Sequence, residues 1–167
     1  MNRKIMSAIV VEGNPLSFVP GINILWGEEA EDVLRALVSI FCEEKTGRAV
    51  KAKVTGRSGV CFHKRRLLER RDCSCVFYGA VPKHGPCMGE SDLRLLQFDT
   101  FLRGLRKGDE RPLFLCNLLE RLDEAVDLRP IFKALNATGR QVFIAVPPDY
   151  KMKALEEKPC VTIIHTF

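Results

Sequence analysis

The chain has 167 residues, of which 46% are hydrophobic and 28% are charged, and it carries a net charge of +5 at pH 7. This length and composition favour a single globular domain over residues 1–167 and exclude a disordered chain. The seven cysteines, with no export signal before them, favour reduced thiols over a disulfide framework. Because no apolar run approaches the length of a bilayer span, we expect a cytoplasmic protein that does not contact membranes.

Apolar patterns of the strand and helix types alternate along the chain, which predicts an α/β fold. The expected strands cover residues 4–11, 16–19, 22–26, 49–55, 59–68, 73–78, 113–116, 142–146 and 161–165. The expected helices cover about residues 29–45, 91–107, 127–137 and 149–157. We therefore expect a mixed, partly parallel sheet flanked by helices, with an antiparallel β section and a loop at residues 48–88.

Turn signals and helical spacing add detail to these elements. Asn14-Pro15 predicts a turn near the start, and Gly56 to Gly59 predicts a hairpin turn. In the helix at 91–107, apolar residues at helical spacing predict the buried side. They are Leu93, Leu96, Phe98, Phe101, Leu102 and Leu105.

The segment from Gly21 to Phe41 reads as a buried strand, a glycine turn and a helix. That order is typical of a phosphate-binding loop, whose chemistry requires G-x-x-x-x-G-K-[ST]. Counting from Gly27, the second glycine falls on Asp32. The lysine falls on Val33 and the hydroxyl residue on Leu34. The sequence therefore predicts the scaffold of a nucleotide site without its reactive groups, and we expect neither ATP nor Mg²⁺ as a cofactor.

Acidic side chains crowd this degenerate loop, which comprises Gly27, Glu28, Glu29, Ala30, Glu31, Asp32, Val33 and Leu34. Acids in the first turn of a helix complement its positive end, so one interpretation is that they cap the helix in place of a bound anion. A divalent metal held by the four carboxylates is the alternative. Either way, carboxylates would face a triphosphate with no lysine to offset them.

Four segments of the chain, taken in order, resemble a known family. They are a strand with the run NPLSFVPGINILWG before the loop, Gly89-Glu90 before a long helix, LFLCNLLERLD at 113–123, and VFIAV at 142–146. They resemble, respectively, the opening, the L-S-G-G-E/Q signature, the hhhDEPxxxLD segment and the switch-histidine strand of ABC-superfamily ATPase heads. The nearest class is that of SMC, RecF and RecN, which maintain and repair chromosomes. The resemblance implies a P-loop NTPase-like fold without the family's coiled coil, and a head that pairs with a second head across a nucleotide.

The departures from the family fall on its chemistry. Leu122-Asp123 matches the D-loop, but Cys116 stands at the magnesium aspartate and Asn117 at the catalytic acid. Pro147 replaces the switch histidine. Since phosphoryl transfer needs a lysine, a metal-binding acid and a group that orients water, the pattern predicts a pseudo-ATPase.

Two further groups of residues allow other chemistry. Cys61 and His63, Cys73 and Cys75, and His84 with Cys87 have spacings that allow a zinc site, although packing of small buried thiols is the alternative. A basic cluster predicts either contact with a nucleic-acid backbone or a solvated surface. It consists of Lys64, Arg65, Arg66, Arg70 and Arg71.

The end of the expected strand at 113–116 raises one more chemical alternative. Cys116 lies where a functional group belongs, so it is either a nucleophile or a buried thiol.

The sequence thus predicts a binding or assembly module built on a degenerate ABC/SMC-type head. Its expected partner is a protein, either a second copy or a competent ATPase. Two alternatives stay open: a divergent ATPase active alone or with a partner, and a nucleic-acid-binding accessory protein.

Overall fold

The computed structural model describes residues 5–11, 13–41, 50–56, 59–63, 76–78, 89–105, 107, 110–120, 122, 125–150 and 161–166. Nine strands lie in this part of the chain: β1 Ile5–Val11, β2 Asn14–Ser17, β3 Ile22–Trp26, β4 Val50–Gly56, β5 Gly59–His63, β6 Val76–Tyr78, β7 Leu113–Cys116, β8 Val142–Val146 and β9 Val161–His165. The three described helices are α1 Ala30–Phe41, α2 Glu90–Gly104 and α3 Arg129–Ala137. The predicted α/β class is confirmed.

Five strands form a parallel sheet in the order β6-β7-β8-β3-β9. The runs in β3, β7 and β8 are buried almost throughout, as is usual for parallel strands covered on both faces. β3, the first of the five in the chain, is inserted between β8 and β9, with its Trp26 level with Val146 and His165. The carboxyl ends of these three strands therefore lie side by side.

Four strands form a separate antiparallel sheet in the order β2-β1-β4-β5. Pairing of Gly56 with Gly59 confirms the predicted hairpin between β4 and β5. The predicted boundary of the antiparallel section at 48–88 is wrong in two respects. β1 and β2 from the start of the chain belong to it, while β6 pairs in parallel with β7 in the other sheet.

The turn predicted at Asn14-Pro15 is displaced by one or two residues. Both residues lie in β2, and Gly13 adopts a positive φ of 91° just before it. Pro15 is tolerated in β2 because this strand is at the edge of its sheet, where a missing N–H disrupts no further ladder.

Helix α1 lies between the two sheets, contacting β3, β7 and β8 on one side and β1 on the other. Six residues of α1 have at most 2% of their surface exposed: Ala30, Val33, Leu34, Ala36, Leu37 and Val38. A helix enclosed in this way is apolar around much of its circumference. The predicted extension of α1 to residue 45 lies outside the described residues.

A buried glutamine joins the two sheets, and a buried asparagine holds the segment that precedes β3. The Gln141 side chain, before β8, accepts a hydrogen bond from the Met6 N–H and donates to the Met6 carbonyl, both at 2.8 Å. Asn23 in β3 is fully buried; its Oδ1 accepts from the Val19 N–H, and its Nδ2 donates to the carbonyls of Val19, Gly21 and Val142. The Gln141 bonds thus link the start of β8 to β1, and the Asn23 bonds hold Val19 and Gly21 against the parallel sheet.

Helix α2 packs most of its predicted apolar side against the core, since Phe101, Leu102 and Leu105 are partly buried there. Phe98 is buried as predicted and packs edge-on against Phe77 of β6, with ring centroids 5.9 Å apart. Leu96, however, is 52% exposed, and the other buried positions are Ser91 and Arg94. The expected buried side was therefore wrong at Leu96, because the packed stripe runs through residues 91, 94 and 98.

The helix predicted at 127–137 is present but starts two residues later, and the one predicted at 91–107 ends three residues earlier, at Gly104. α3 begins at Arg129, and Asp127 accepts a hydrogen bond from the Arg129 N–H at 3.0 Å. Gly139 has a positive φ of 66° just after the helix, as a helix-ending glycine does. Most of the short helix predicted at 149–157 lies outside the described residues. Within the described part of the chain, no helix is long and apolar enough to cross a membrane.

Candidate functional site at the carboxyl edge of the parallel sheet

The turn after β3 depends on a glycine. Gly27 has a φ of 142°, a conformation that essentially only glycine adopts. A Cβ at this position would lie 2.5 Å from Oγ1 of Thr166 and 2.8 Å from its carbonyl oxygen. Thr166 is fixed there because its N–H donates to the Trp26 carbonyl at 2.8 Å. The turn is therefore pressed against the residue that follows β9.

The same turn is short and closed by its own backbone. The Ala30 N–H donates to the Gly27 carbonyl at 3.3 Å, and α1 begins at Ala30. In a phosphate-binding loop counted from Gly27, the second glycine would come at position 32, two residues after this helix has already begun. The described turn is thus shorter than the loop that the motif requires.

The two positions that would carry the lysine and the hydroxyl lie in the core. Val33 and Leu34 both have 0% of their surface exposed. Both belong to the face of α1 that is enclosed between the sheets. Their side chains therefore contribute to packing.

The acids of the turn lie at the surface. Glu28, Glu31 and Asp32 are exposed, and Glu29 is partly exposed. Glu31 forms an ion pair with Arg35 one helical turn later, with Nη2 and Oε1 2.6 Å apart. Because both side chains are more than half exposed, this pair contributes only about 0.3–0.5 kcal/mol. The capping role predicted for Glu31 and Asp32 is consistent with their place in the first turn of α1.

The end of β7 lies about 10 Å from the Gly27 turn, since β8 separates β7 from β3 and neighbouring strands are about 4.8 Å apart. Cys116 is a buried cysteine outside any disulfide, with 3% of its surface exposed. Asn117 follows with a φ of 53°, and it is the one non-glycine residue with a positive φ among those described. Leu118 and Leu119 are fully buried. The chain therefore turns back into the core directly after β7.

Arg94 is the residue at this edge that the sequence reasoning missed. Its side chain is 1% exposed, and its Nη1 donates to the carbonyl oxygen of Asn117 at 2.8 Å. Its Nη2 lies 3.4 Å from Oε1 of Glu90, whose side chain is 48% exposed. The Nε of Arg94 is buried and has no hydrogen-bond partner among the described residues. Residues 91, 94 and 98 share one face of the helix. That spacing could have identified Arg94, but an arginine is not expected on a buried face.

The signature-like residues lie at the accessible start of α2. Gly89 is the N-cap and is exposed, and the Leu93 N–H donates to its carbonyl at 3.0 Å. Glu90 is the first residue of the helix. Of the D-loop pair, Leu122 is partly buried against the core, and Asp123 lies outside the described residues.

Aromatic side chains line the ends of β3 and β9. The rings of Trp26 and His165 meet edge to face, with centroids 5.0 Å apart. The indole Nε1 of Trp26 is buried, and no described residue forms a hydrogen bond with it. Beyond β8, burial raises the pKa of the Tyr150 phenol above its ordinary value of 10.0. The carbonyl of Pro147, directly after β8, accepts a hydrogen bond from the Tyr150 N–H at 3.1 Å.

The other candidate sites fall largely outside the described residues. Cys61 and His63 lie on β5, of which only the backbone is described, and Cys73, Cys75, His84, Cys87 and the whole basic cluster of Lys64, Arg65, Arg66, Arg70 and Arg71 are not described. Within the described ranges, no group of three or more His, Cys, Asp or Glu side chains is arranged to hold a metal ion. The zinc and nucleic-acid interpretations therefore stay predictions of the sequence.

Comparisons with protein-family models, with curated proteins and with solved structures found no match to this chain. The resemblance to ABC-type heads consequently remains a prediction based on the four segments above.

Proposed function

We propose that this chain is a catalytically degenerate ATPase head of the ABC/SMC type, with a P-loop NTPase-like fold, that acts as a binding or assembly module. The observation that carries the proposal is the burial of Val33 and Leu34, because the two positions that should face a nucleotide are part of the core. The resemblance suggests a cytoplasmic role in chromosome maintenance or repair.

The arrangement of the strands supports the first half of this proposal. The turn after β3, the end of β7 and the end of β8 correspond to the nucleotide loop, the metal-binding segment and the switch segment of the family. All three lie at the carboxyl edge of one parallel sheet, on strands that are close neighbours. Ligands of open α/β sheets bind at this edge. The segments that resemble the family thus lie where a shared ligand would require them.

The chemistry at these three places supports the loss of hydrolysis. Phosphoryl transfer relies on a lysine at the phosphates, an acid that holds Mg²⁺ and a group that orients the attacking water. Val33 and Cys116 offer apolar, buried side chains instead. The backbone carbonyl of Asn117 is bound by Arg94, and its side chain is a neutral amide that cannot act as a general base.

The exposed residues at the start of α2 support an assembly role. Gly89 and Glu90 are exposed at the start of α2, where the resemblance implies contact with a second head. We therefore expect a protein partner, either a second copy of the chain or a competent ATPase. Light scattering over a range of concentrations tests the first possibility, and co-purification with an ATPase head tests the second.

The decisive experiment is denaturation of the whole chain with and without Mg-ATP. A ligand that binds only the folded state stabilises it by about 2.7 kcal/mol at a hundred times its dissociation constant. We expect no change in the free energy of unfolding at millimolar Mg-ATP, and no phosphate release. Stabilisation together with turnover would favour the divergent ATPase instead, and turnover only in the presence of a partner would favour an ATPase completed in trans.

A further inference from the structure

Two uncommon features of this protein are in direct contact. Arg94 carries a guanidinium group that is almost wholly buried, and its hydrogen-bond partner is the carbonyl of Asn117, the described non-glycine residue with a positive φ. A buried charge with incomplete pairing and a residue in a sparsely populated backbone conformation each raise the free energy of the folded state. Their contact joins α2 to the end of β7.

The carboxylate that compensates the buried charge of Arg94 lies partly at the surface. The carboxylate that faces Arg94 belongs to Glu90, one turn earlier on α2, at 3.4 Å and with about half of its side chain exposed. Within the part of the chain that the structure describes, Nε of Arg94 has no hydrogen-bond partner. The charge of Glu90 is therefore the part of the arrangement that a molecule outside the protein can reach.

We propose that Glu90, Arg94 and Asn117 form a latch through which an event at the exposed start of α2 changes the turn at the end of β7. A partner that presents a basic side chain to Glu90 competes with Arg94 for the carboxylate. The guanidinium, left with less compensation in a buried place, then favours states in which it moves towards water. Movement of Arg94 releases the Asn117 carbonyl and loosens the turn that it holds.

The latch is independent of the proposed ATPase ancestry, because it uses only contacts within this chain. It gives α2 a second role beyond that of an exposed surface. The side chain of Arg94 is a positioning group, since it acts through the backbone of Asn117 and its burial keeps it from touching a ligand.

The test is amide hydrogen exchange, read by NMR, in wild type and Glu90→Gln. The probes are the Leu93 N–H, bonded to the Gly89 carbonyl, and the Leu122 N–H, bonded to the Leu119 carbonyl at 3.0 Å. The reference is the Val142 N–H at the start of β8. We expect exchange at both probes to rise about tenfold, as for weakening a charged hydrogen bond, with no rise at the reference.

Glu31→Gln is the matched control, because it removes the carboxylate of an equally spaced pair whose arginine is exposed. We expect it to change neither probe. Exchange at both probes within twofold of wild type in Glu90→Gln would overturn the latch. So would an equal rise at the reference, or the same rise in the control.

Arg94→Lys separates the latch from a purely structural role of Glu90. It keeps the charge but loses the planar fork that reaches two partners at once. We expect the Leu122 amide to exchange about tenfold faster, with the start of β8 unchanged. Unchanged exchange at Leu122 would show that the contact with Asn117 does not hold the turn, and the proposal would then be wrong.

Discussion

Placing a lysine at Val33 tests whether the nucleotide loop is degenerate in structure as well as in sequence. Val33→Lys restores the residue that the motif requires at this position. If a binding loop merely lacked its lysine, this change would add phosphate affinity. The structure predicts the opposite, because the side chain at position 33 is fully enclosed between α1 and the sheets.

The magnitude follows from the burial of this position. An ammonium group taken out of water costs several kcal/mol even after relaxation. If the lysine instead becomes neutral, a pKa lowered by 3 to 5 units costs about 4–5 kcal/mol at neutral pH. We therefore expect Val33→Lys to lower the free energy of unfolding by about 4 kcal/mol or more. That is a large part of the about 5–15 kcal/mol that holds a typical domain folded.

Urea denaturation with and without Mg-ATP measures both effects. Glu28→Lys is the control, because it adds a lysine to the same turn at an exposed position and should change stability by less than about 1 kcal/mol. We expect neither variant to be stabilised by Mg-ATP. The reasoning is refuted if Val33→Lys folds within about 1 kcal/mol of wild type and gains about 2 kcal/mol or more from the nucleotide.

Three further predictions use the same denaturation assay. Gly27→Ala should lower the free energy of unfolding by about 3 kcal/mol or more, because it adds backbone strain and steric overlap. Gly104 has open space around it, so Gly104→Ala should be neutral or slightly stabilising. Equal effects of the two changes would contradict the account of the turn. Asn23→Ala should cost about 2 kcal/mol because it removes a buried amide and leaves the Val19 N–H without its acceptor, and exposed Asn14→Ala should cost less than about 0.5 kcal/mol. A loss below about 1 kcal/mol at Asn23 would count against its role in holding the segment before β3. Because the pKa of Tyr150 is higher in the folded chain, the folded state holds the proton more tightly, and stability falls as the pH rises above 10.0. Tyr150→Phe should reduce that fall. Identical slopes of stability against pH in the two proteins would contradict the prediction.

The strands of the parallel sheet were predictable because their signal is local. Leu113 to Cys116 and Val142 to Val146 are unbroken apolar runs bounded by turn residues, and both are strands within those bounds. The pairing of the strands could not be predicted in this way, because it joins residues far apart in the chain. The three residues of β6 follow the antiparallel hairpin in sequence, and nothing local indicates that they pair with β7 instead.

The candidate site was predictable only in outline. The position of Gly27 at a strand–helix turn could be deduced, but its contact with Thr166 joins residues 139 positions apart. Arg94 was missed because patterning by hydrophobicity assigns an arginine to the surface. Asn23 left a clearer signal, a polar residue inside a buried strand, and such a residue needs partners that only the fold reveals.

Burial also limits where a partner could supply the groups that the proposed head lacks. A partner can supply a missing group only at a place that the partner can reach. Val33, Leu34 and Cys116 are each at most 3% exposed, so a lysine or an acid from another protein cannot take their positions while this fold is intact. Completion in trans would therefore have to act through exposed positions of the turn, such as Glu28 and Asp32, whose negative charges repel phosphate. Under the proposed function, the burial of these positions supports a head that contributes its surface, rather than a reactive group, to an assembly.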